Sequence, residues 1–232
     1  MIVGGVFARA GSKGVTNKNL REIGGKSLVA RAVEQALSMA QIETVYCSTD
    51  SANIATEAQK FGAEVPWLRP KELSQDDSHE WDAWVHLIKW LNENESFPDY
   101  LVTVPCVAPL RTLDDLNSCV ELALSSKADV VMAVSESTRN PWFNMVTIDP
   151  TSNLVKLVNE PKSRIHNRQD APAVFDVSTV TFIIKCSYLL QSNSLYGGTT
   201  RAIVLPKSHC LDIDTEDDLV LAEYLLSRQR AE

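Results

Sequence analysis

The sequence predicts an α/β protein: a mainly parallel sheet with helices on both faces. Three observations carry that prediction. Strand and helix signals alternate over the first 136 residues. The length of 232 residues suffices for one large domain with a substantial core. After Pro141 the texture turns β-rich, and a last strand and helix then close the chain.

In order, residues 2–8 read as a short apolar strand, followed by a cationic loop and a helix over 27–40 (SLVARAVEQALSMA). TVYCST at 44–49 is the next strand. A helix runs from Ser51 to Phe61, and a short strand is expected at 64–68. In SHEWDAWVHLIKWLNEN, Trp81, Trp84, Ile88 and Leu91 recur at helical spacing, which reads as core packing more readily than as a ligand platform. Strands at 100–104 and 129–135 flank a helix at 113–126. FNMVTI, NLVKLV and VFDVSTVTFIIK are β-rich, with a polar loop at 159–172 before the last of them. A strand near 202–205, the stretch CLDIDTEDD and a helix over 216–230 follow. The expectation is one domain, 1–232, with a β-rich insertion at about 140–200. In an open α/β sheet such an insertion covers the carboxyl ends of the strands, where ligands bind, or forms an oligomer contact.

An apolar fraction of 44% and a charged fraction of 22% are ordinary for a globular protein. The net charge of -8 argues against nucleic-acid binding, which needs a broad basic face. No apolar run approaches the roughly 18 residues of a membrane helix, and MIVGGVFA reads as a strand and not as a signal peptide. Five scattered cysteines without metal-ligand spacing point to reduced thiols, so a cytoplasmic protein is expected.

Against that acidic background, VFARAGSKGVTNKN at 6–19 holds Arg9, Lys13 and Lys18 with two glycines and a serine. A Gly- and Ser-containing turn after a strand can aim backbone amides at an anion, with Gly11 and Gly14 expected to supply unusual dihedrals and close approach. Three cations suit a polyphosphate better than a carboxylate. The spacing is neither that of the P-loop nor G-x-G-x-x-G. Charge alone leaves phosphate binding and a solvated loop equally open. Late in the chain, Asp212 and Asp214 alternate across one residue. On a strand they would face the same way, about 7 Å apart, a pair suited to Mg²⁺; helix N-capping is the alternative.

The wider stretch ARAGSKGVTNKNLREIGGKSLV resembles the opening signature of the acylneuraminate cytidylyltransferases, Ala-Arg-x-x-Ser-Lys-Gly-x-x-x-Lys-Asn-Leu, without a gap. VYCSTDSANIATEAQKFGAEV, LRPKELSQDDSHEW, APLRT and LDIDTEDDL are similar to later segments of that family, the second of them to an Arg-Pro-x-x-Leu-x-x-Asp motif. The resemblance implies a Rossmann-like fold and CTP and Mg²⁺ as donor and cofactor. It also implies a 2-keto sugar acid as acceptor and a homodimer, with a tetramer as the alternative, whose β insertion reaches the partner's site. The reaction implied is attack of the anomeric hydroxyl on the α-phosphorus of CTP, releasing pyrophosphate.

By that resemblance Arg9, Ser12, Lys13, Lys18 and Asn19 line the triphosphate, while Arg69, Ser78 and Glu80 hold the cytidine half. Arg9, Lys18 and Asp214 are the candidate catalytic residues, and Asp212 and Asp214 the metal ligands. Arg168 is expected to fork onto the acceptor carboxylate, Phe182 to pack near the sugar, and Tyr196 to approach a neighbouring subunit's pocket. The pattern breaks on the acceptor side. Val104 stands in VPCVAPLR where the family has a glutamine, and Ser178 where it has an asparagine. That points to a non-standard nonulosonic acid of legionaminic or pseudaminic type. The rival readings are a keto-deoxyoctulosonate cytidylyltransferase, a catalytically silent nucleotide binder, and a cysteine hydrolase built on Cys106.

Overall fold

The computed structural model describes residues 1–161 and 163–229. The chain runs β1 (Ile2–Phe7), a small hairpin of β2 (Glu22–Ile23) and β3 (Lys26–Ser27), α1 (Leu28–Leu37), β4 (Thr44–Ser48), α2 (Ala52–Lys60), α3 (Glu80–Glu93) and β5 (Tyr100–Thr103). It continues with α4 (Leu113–Ser126), β6 (Val130–Glu136), β7 (Val146–Ile148), β8 (Val155–Leu157), β9 (Phe175–Lys185), α5 (Cys186–Leu189), β10 (Thr200–Val204) and α6 (Glu216–Gln229). Helix starts follow local chemistry. Ser27 and Ser51 accept amides three residues on, and Thr112 with Asp115 forms a capping box on α4.

Six strands form one sheet in the order β10-β6-β9-β5-β1-β4. All neighbours are parallel except around β9, which runs antiparallel to both β5 and β6. Strand alternation sorts the core into two layers. Val6, Val45, Cys47, Val102, Val131 and Ile183 face one way, toward α1, α4 and α6. Val3, Tyr46, Leu101, Met132, Phe182 and Ile184 face the other, toward α3 and α5. The tryptophan stripe is core as expected: Trp84 is buried against Phe7 and Phe182, with Trp81 half-buried beside it.

Three expectations change. Residues 64–68 make only two isolated bridges, Glu64 to Tyr46 and Leu68 to Thr49. VFDVSTVTFIIK is not part of a separate β insertion, because β9 completes the central sheet. The β material outside the sheet is the β7–β8 hairpin, whose Ile148 and Leu154 are 61% and 65% exposed. Residues 211–214 have no ladder partner and form no strand. They keep the alternation nonetheless: Ile213 is fully buried while Asp212 and Asp214 are not. The last residue expected in the final helix, Arg230, and Lys162 in the polar loop lie outside the described residues. Among the described residues no helix is long and apolar enough to cross a membrane.

On α3, His86 packs edge-on to Trp67 at 5.1 Å, and its Nδ1 is buried without a hydrogen-bond partner. Burial, helped by the nearby Arg69 charge, holds its pKa below the ordinary 6.5. Below that value the unfolded chain binds a proton that the folded one resists, so stability falls on acidification. The melting temperature should therefore drop between about pH 7 and about pH 5, and His86→Phe should flatten that drop in a calorimetric pH series.

Candidate active site

The parallel strands end on one edge of the sheet, and the loops leaving them carry the polar residues singled out above. After β1, the backbone runs out through Ala8 to the cationic loop. Asp50, just past β4, accepts the Ala10 amide at 2.9 Å, and the buried Asn19 spends its side-chain amide on the Arg9 carbonyl at 3.0 Å. The loop is thus a closed ring tied at its neck. Asn17 enters the following turn in the left-handed region, φ 52°, which asparagine tolerates. Among the described residues, the amides of Gly11, Lys13 and Gly14 have no hydrogen-bond partner.

The glycines do not act as expected. Neither has positive φ, and a Cβ on Gly11 would meet nothing within 4 Å. Gly14 is needed for close approach alone: a Cβ there would lie 2.0 Å from the Asp214 carbonyl oxygen. Lys18 makes the same junction from the other side. Its ammonium, on a side chain only 14% exposed, donates to the Ile213 carbonyl at 2.6 Å and pairs with Asp214 at 3.3 Å. The amide of Ile213 in turn donates to Val107 in the turn after β5 at 2.9 Å. The first loop, the turn after β5 and the late acidic segment therefore form one wall.

That wall encloses a cavity of about 350 Å³ lined by Arg9, Ser12, Lys13, Gly14, Lys18, Asn19, Glu80, Phe182 and Asp214, with Phe7, Thr179 and Pro105–Val107. Eight of the residues predicted from sequence meet here. A smaller cavity sharing Phe7, Arg9 and Glu80 adds Arg69 and Ser78 on one side. On the other, Thr179 leads into a cavity of about 410 Å³ lined by Asp212, Ser178, Ser135, Asp176 and Lys207. Beyond it, at the ends of β6 and β9, a cavity of about 640 Å³ holds Arg168 with Asn140, Phe143 and Phe175. The first three share lining residues and form one trough along the strand ends, while the cavity at Arg168 shares none with them.

Desolvation marks its middle. Burial pushes the Asp212 carboxyl up, the neighbouring Asp214 pushes it further, and Lys18 opposes both. Among the described residues, the buried Asp212 Oδ1 and Thr179 hydroxyl oxygen have no hydrogen-bond partner of good geometry, although the Thr179 hydroxyl still draws the Asp212 pKa down. Glu80 stands in the concave floor, crowded by protein atoms yet open to the cavity; that crowding raises its pKa while Arg69 pulls it down. Arg69 is itself buried, which lowers its pKa against the opposing effect of Asp50. Its Nε donates to Ser74 at 3.0 Å. Ser78 accepts the Gln75 amide and donates to the Glu72 carbonyl, shaping the loop beside Arg69.

A family model described as cytidylyltransferase matches residues 4–89. Over 225 residues, covering 96% of this chain and 93% of the relative, the sequence is 32% identical to a CMP-N,N'-diacetyllegionaminic acid synthase of Campylobacter jejuni. The chain belongs to the cytidylyltransferase family. It is also 30% identical over 227 residues, 97% of this chain and 94% of the relative, to post-translational flagellin modification protein B of Campylobacter coli. Among solved structures, a CMP:2-keto-3-deoxy-manno-octonic acid synthetase complexed with CTP matches with a TM-score of 0.72 over 98% of this chain and 99% of that one. The identity is 16%, so this likeness is one of fold and agrees with the Rossmann-like expectation.

Val104 and Arg168 lie elsewhere than expected on this cytidylyltransferase, and Tyr196 lies away from this chain's own trough. Val104 is fully buried in the core and presents no surface to a sugar; Pro105, Cys106 and Val107 line the cavity instead. Tyr196 is 67% exposed in the loop before β10, at the opposite end of the sheet from Arg9. Arg168 donates to the Ser137 carbonyl and lines a different cavity from Asp214. Ser178 does line the trough, but its hydroxyl donates to Ala133 at 3.3 Å, at the register shift between β6 and β9. Cys106 is buried, and burial pushes its thiol up to about 12, so a cysteine-hydrolase reading has no thiolate to work with. Sequence reading passed over Asp50 and Asp76. Asp76 is the aspartate of the Leu-x-x-Asp motif and pairs with both Arg9 and Lys13.

Gly14→Ala forces the loop off the Asp214 carbonyl, and a shift of about 1 Å in a reacting site costs about 10²-fold. Steady-state turnover of this variant should fall by that order. Gly11→Ala should melt at the wild-type temperature in a thermal scan.

Proposed function

We propose that this cytidylyltransferase transfers CMP from CTP to the anomeric hydroxyl of a nonulosonic acid of legionaminic type, releasing pyrophosphate. The observation that carries the reading is the junction of Lys18, Ile213 and Asp214. It sets a cationic, amide-rich loop for a polyphosphate against a carboxylate pair, with a hydroxyl-lined cavity immediately beyond.

In this reading the cytidine lies by Arg69, Ser78 and Glu80, and the β- and γ-phosphates lie over Arg9, Ser12, Lys13 and the free loop amides. Lys18 meets the α-phosphate. Charge builds on the phosphate oxygens as the P–O bond to pyrophosphate breaks, so fixed cations and amides supply most of the stabilisation. Asn19 acts through the loop, because its amide is committed to the Arg9 carbonyl. Asp214 takes the proton of the attacking hydroxyl, and Lys18 holds its carboxylate at the cavity mouth. Phe182 floors the cavity behind the reacting atoms.

The residues present fit Mg²⁺. A buried carboxylate oxygen without a partner on Asp212, beside a second carboxylate, suits a hard cation that fills its shell with phosphate oxygens and water. Bound to Asp212 and Asp214, the ion would neutralise charge on the phosphate oxygens.

The acceptor then occupies the cavity of Asp176, Ser178 and Lys207, with its distal part in the larger cavity at Arg168. The legionaminic class is favoured over keto-deoxyoctulosonate because the 32% identical relative carries that name, whereas the octonic acid synthetase shares only the fold. A CTP-dependent enzyme of this kind belongs in the cytoplasm. The β7–β8 hairpin is proposed to bury its exposed Val146, Ile148, Leu154 and Val155 against a second copy, since an isolated two-stranded hairpin is marginal in water.

A pyrophosphate-release screen of the four nucleoside triphosphates against a panel of keto sugar acids tests the reaction. CTP with a diacetamido nonulosonic acid should give the fastest Mg²⁺-dependent release, and release with none of them overturns the reading. Arg168→Met should raise the acceptor KM about tenfold with CTP affinity unchanged, as loss of a guanidinium contact to the acceptor's distal polar groups predicts. Sedimentation should show a dimer for the wild type and a monomer for Ile148→Glu.

A further inference from the structure

The two outer cations of the phosphate loop are not free. Asp76 Oδ1 lies 2.8 Å from Arg9 Nη1, and Asp76 Oδ2 lies 2.7 Å from Lys13 Nζ, so one carboxylate bridges both. Lys13 is 75% exposed and Asp76 half exposed, which makes the bridge accessible to solvent and exchangeable. Lys18, the third cation, takes no part; it is committed to Ile213 and Asp214. Asp76 sits on the segment that follows Arg69, where Ser74 and Ser78 hold the turns and where Gln75 and Ser78 line the neighbouring cavity.

We propose that Asp76 is a resident counter-anion of the phosphate loop that polyphosphates, unlike monophosphates, must displace, and that it thereby moderates the loop's grip on polyphosphates alone. The inference rests on the reading of Arg9 and Lys13 as partners of the β- and γ-phosphates. A carboxylate across those two cations occupies the donor directions that phosphate oxygens would use, so a ligand that reaches both must displace it. Pyrophosphate and the tail of a triphosphate carry several negative charges against the single charge of Asp76, and they win the exchange. A monophosphate held at Lys18 does not reach the bridge and gains nothing by breaking it. Two exposed ion pairs are weak, so the exchange is reversible, and closing the bridge again after transfer helps to expel pyrophosphate. The Arg9 and Lys13 contacts hold the Asp76 carboxyl below the usual carboxylate range, Lys13 contributing most, so the bridge is charged throughout the neutral region.

The test is calorimetric binding of pyrophosphate, CTP and CMP to the whole protein as wild type, Asp76→Asn, Asp76→Ser and Asp77→Asn, alongside pyrophosphate product inhibition. Both Asp76 variants should bind pyrophosphate and CTP about three- to tenfold more tightly, with a matching fall in the inhibition constant, while CMP affinity stays at the wild-type value. Asp77→Asn should behave as wild type throughout. Equal or weaker pyrophosphate binding by both Asp76 variants, with wild-type melting temperatures, overturns the inference and leaves Asp76 as a brace for its own segment. Tighter binding of all three ligands alike also overturns it, because the bridge would then not discriminate by phosphate number. If wild type binds neither pyrophosphate nor CTP, what fails is the underlying assignment of Arg9 and Lys13.

Discussion

Lys18 reaches across 195 residues of sequence to donate to the Ile213 carbonyl at 2.6 Å, and Gly14 lies so near the Asp214 carbonyl that no side chain fits between them. These contacts join the loop after the first strand to the segment after the last. The ammonium is mostly buried, and in that setting a charge-assisted hydrogen bond is worth more than an exposed ion pair. Without the junction, the cations of residues 9–18 and the carboxylates of residues 212–214 would sit on separate loops with no fixed distance between them. Every chemical role assigned to the trough presupposes that distance.

The sheet order explains why the junction is possible. The parallel strands all leave at one edge, and β9 enters from that same edge because it runs the other way. Thr179 and Phe182 thereby reach the trough from a strand that starts there, beside Pro105–Val107 from a strand that ends there. An antiparallel strand inserted between two parallel ones adds side chains to a site without adding a loop. The cost is a register shift between Met132 and Val134, patched by the Ser178 hydroxyl on Ala133.

Much of this was legible in the sequence, for physical reasons that differ by element. The helices over Leu28–Leu37, Ala52–Lys60 and Leu113–Ser126 carry clear caps and apolar periodicity, so they read within a few residues of their observed bounds. The cationic loop was legible because charge and glycine are local signals. β9 misread as an insertion because alternation identifies a strand but says nothing of its neighbours. Val104 and Pro105 are adjacent in sequence, yet one faces the core and the other the cavity, and only the turn geometry separates them. Asp76 was overlooked for a related reason: its partners lie 67 and 63 positions away, and no pattern in SQDDSHE points to them.

The trough also departs from what folding alone would select. The trough desolvates the Asp212 carboxylate at a cost that Lys18 and the adjacent Thr179 hydroxyl offset only in part. An apolar pair of the same shape would avoid that cost, and a fully bonded pair would offset it. Arg69, whose pKa burial lowers, adds to the same local cost, while Glu80 beside it stays open to the cavity. Elsewhere the picture is mixed: the guanidinium of Arg111 is held by Gln35 and by the Pro105 and Val180 carbonyls, whereas Gln41 Oε1, His86 Nδ1 and Asn117 Oδ1 are buried without a hydrogen-bond partner among the described residues. In the trough such groups line connected cavities open to a ligand. Such groups persist where a ligand supplies the missing partners, and the nucleotide and cation proposed above would bring anionic oxygens to the amides and positive charge to the carboxylates.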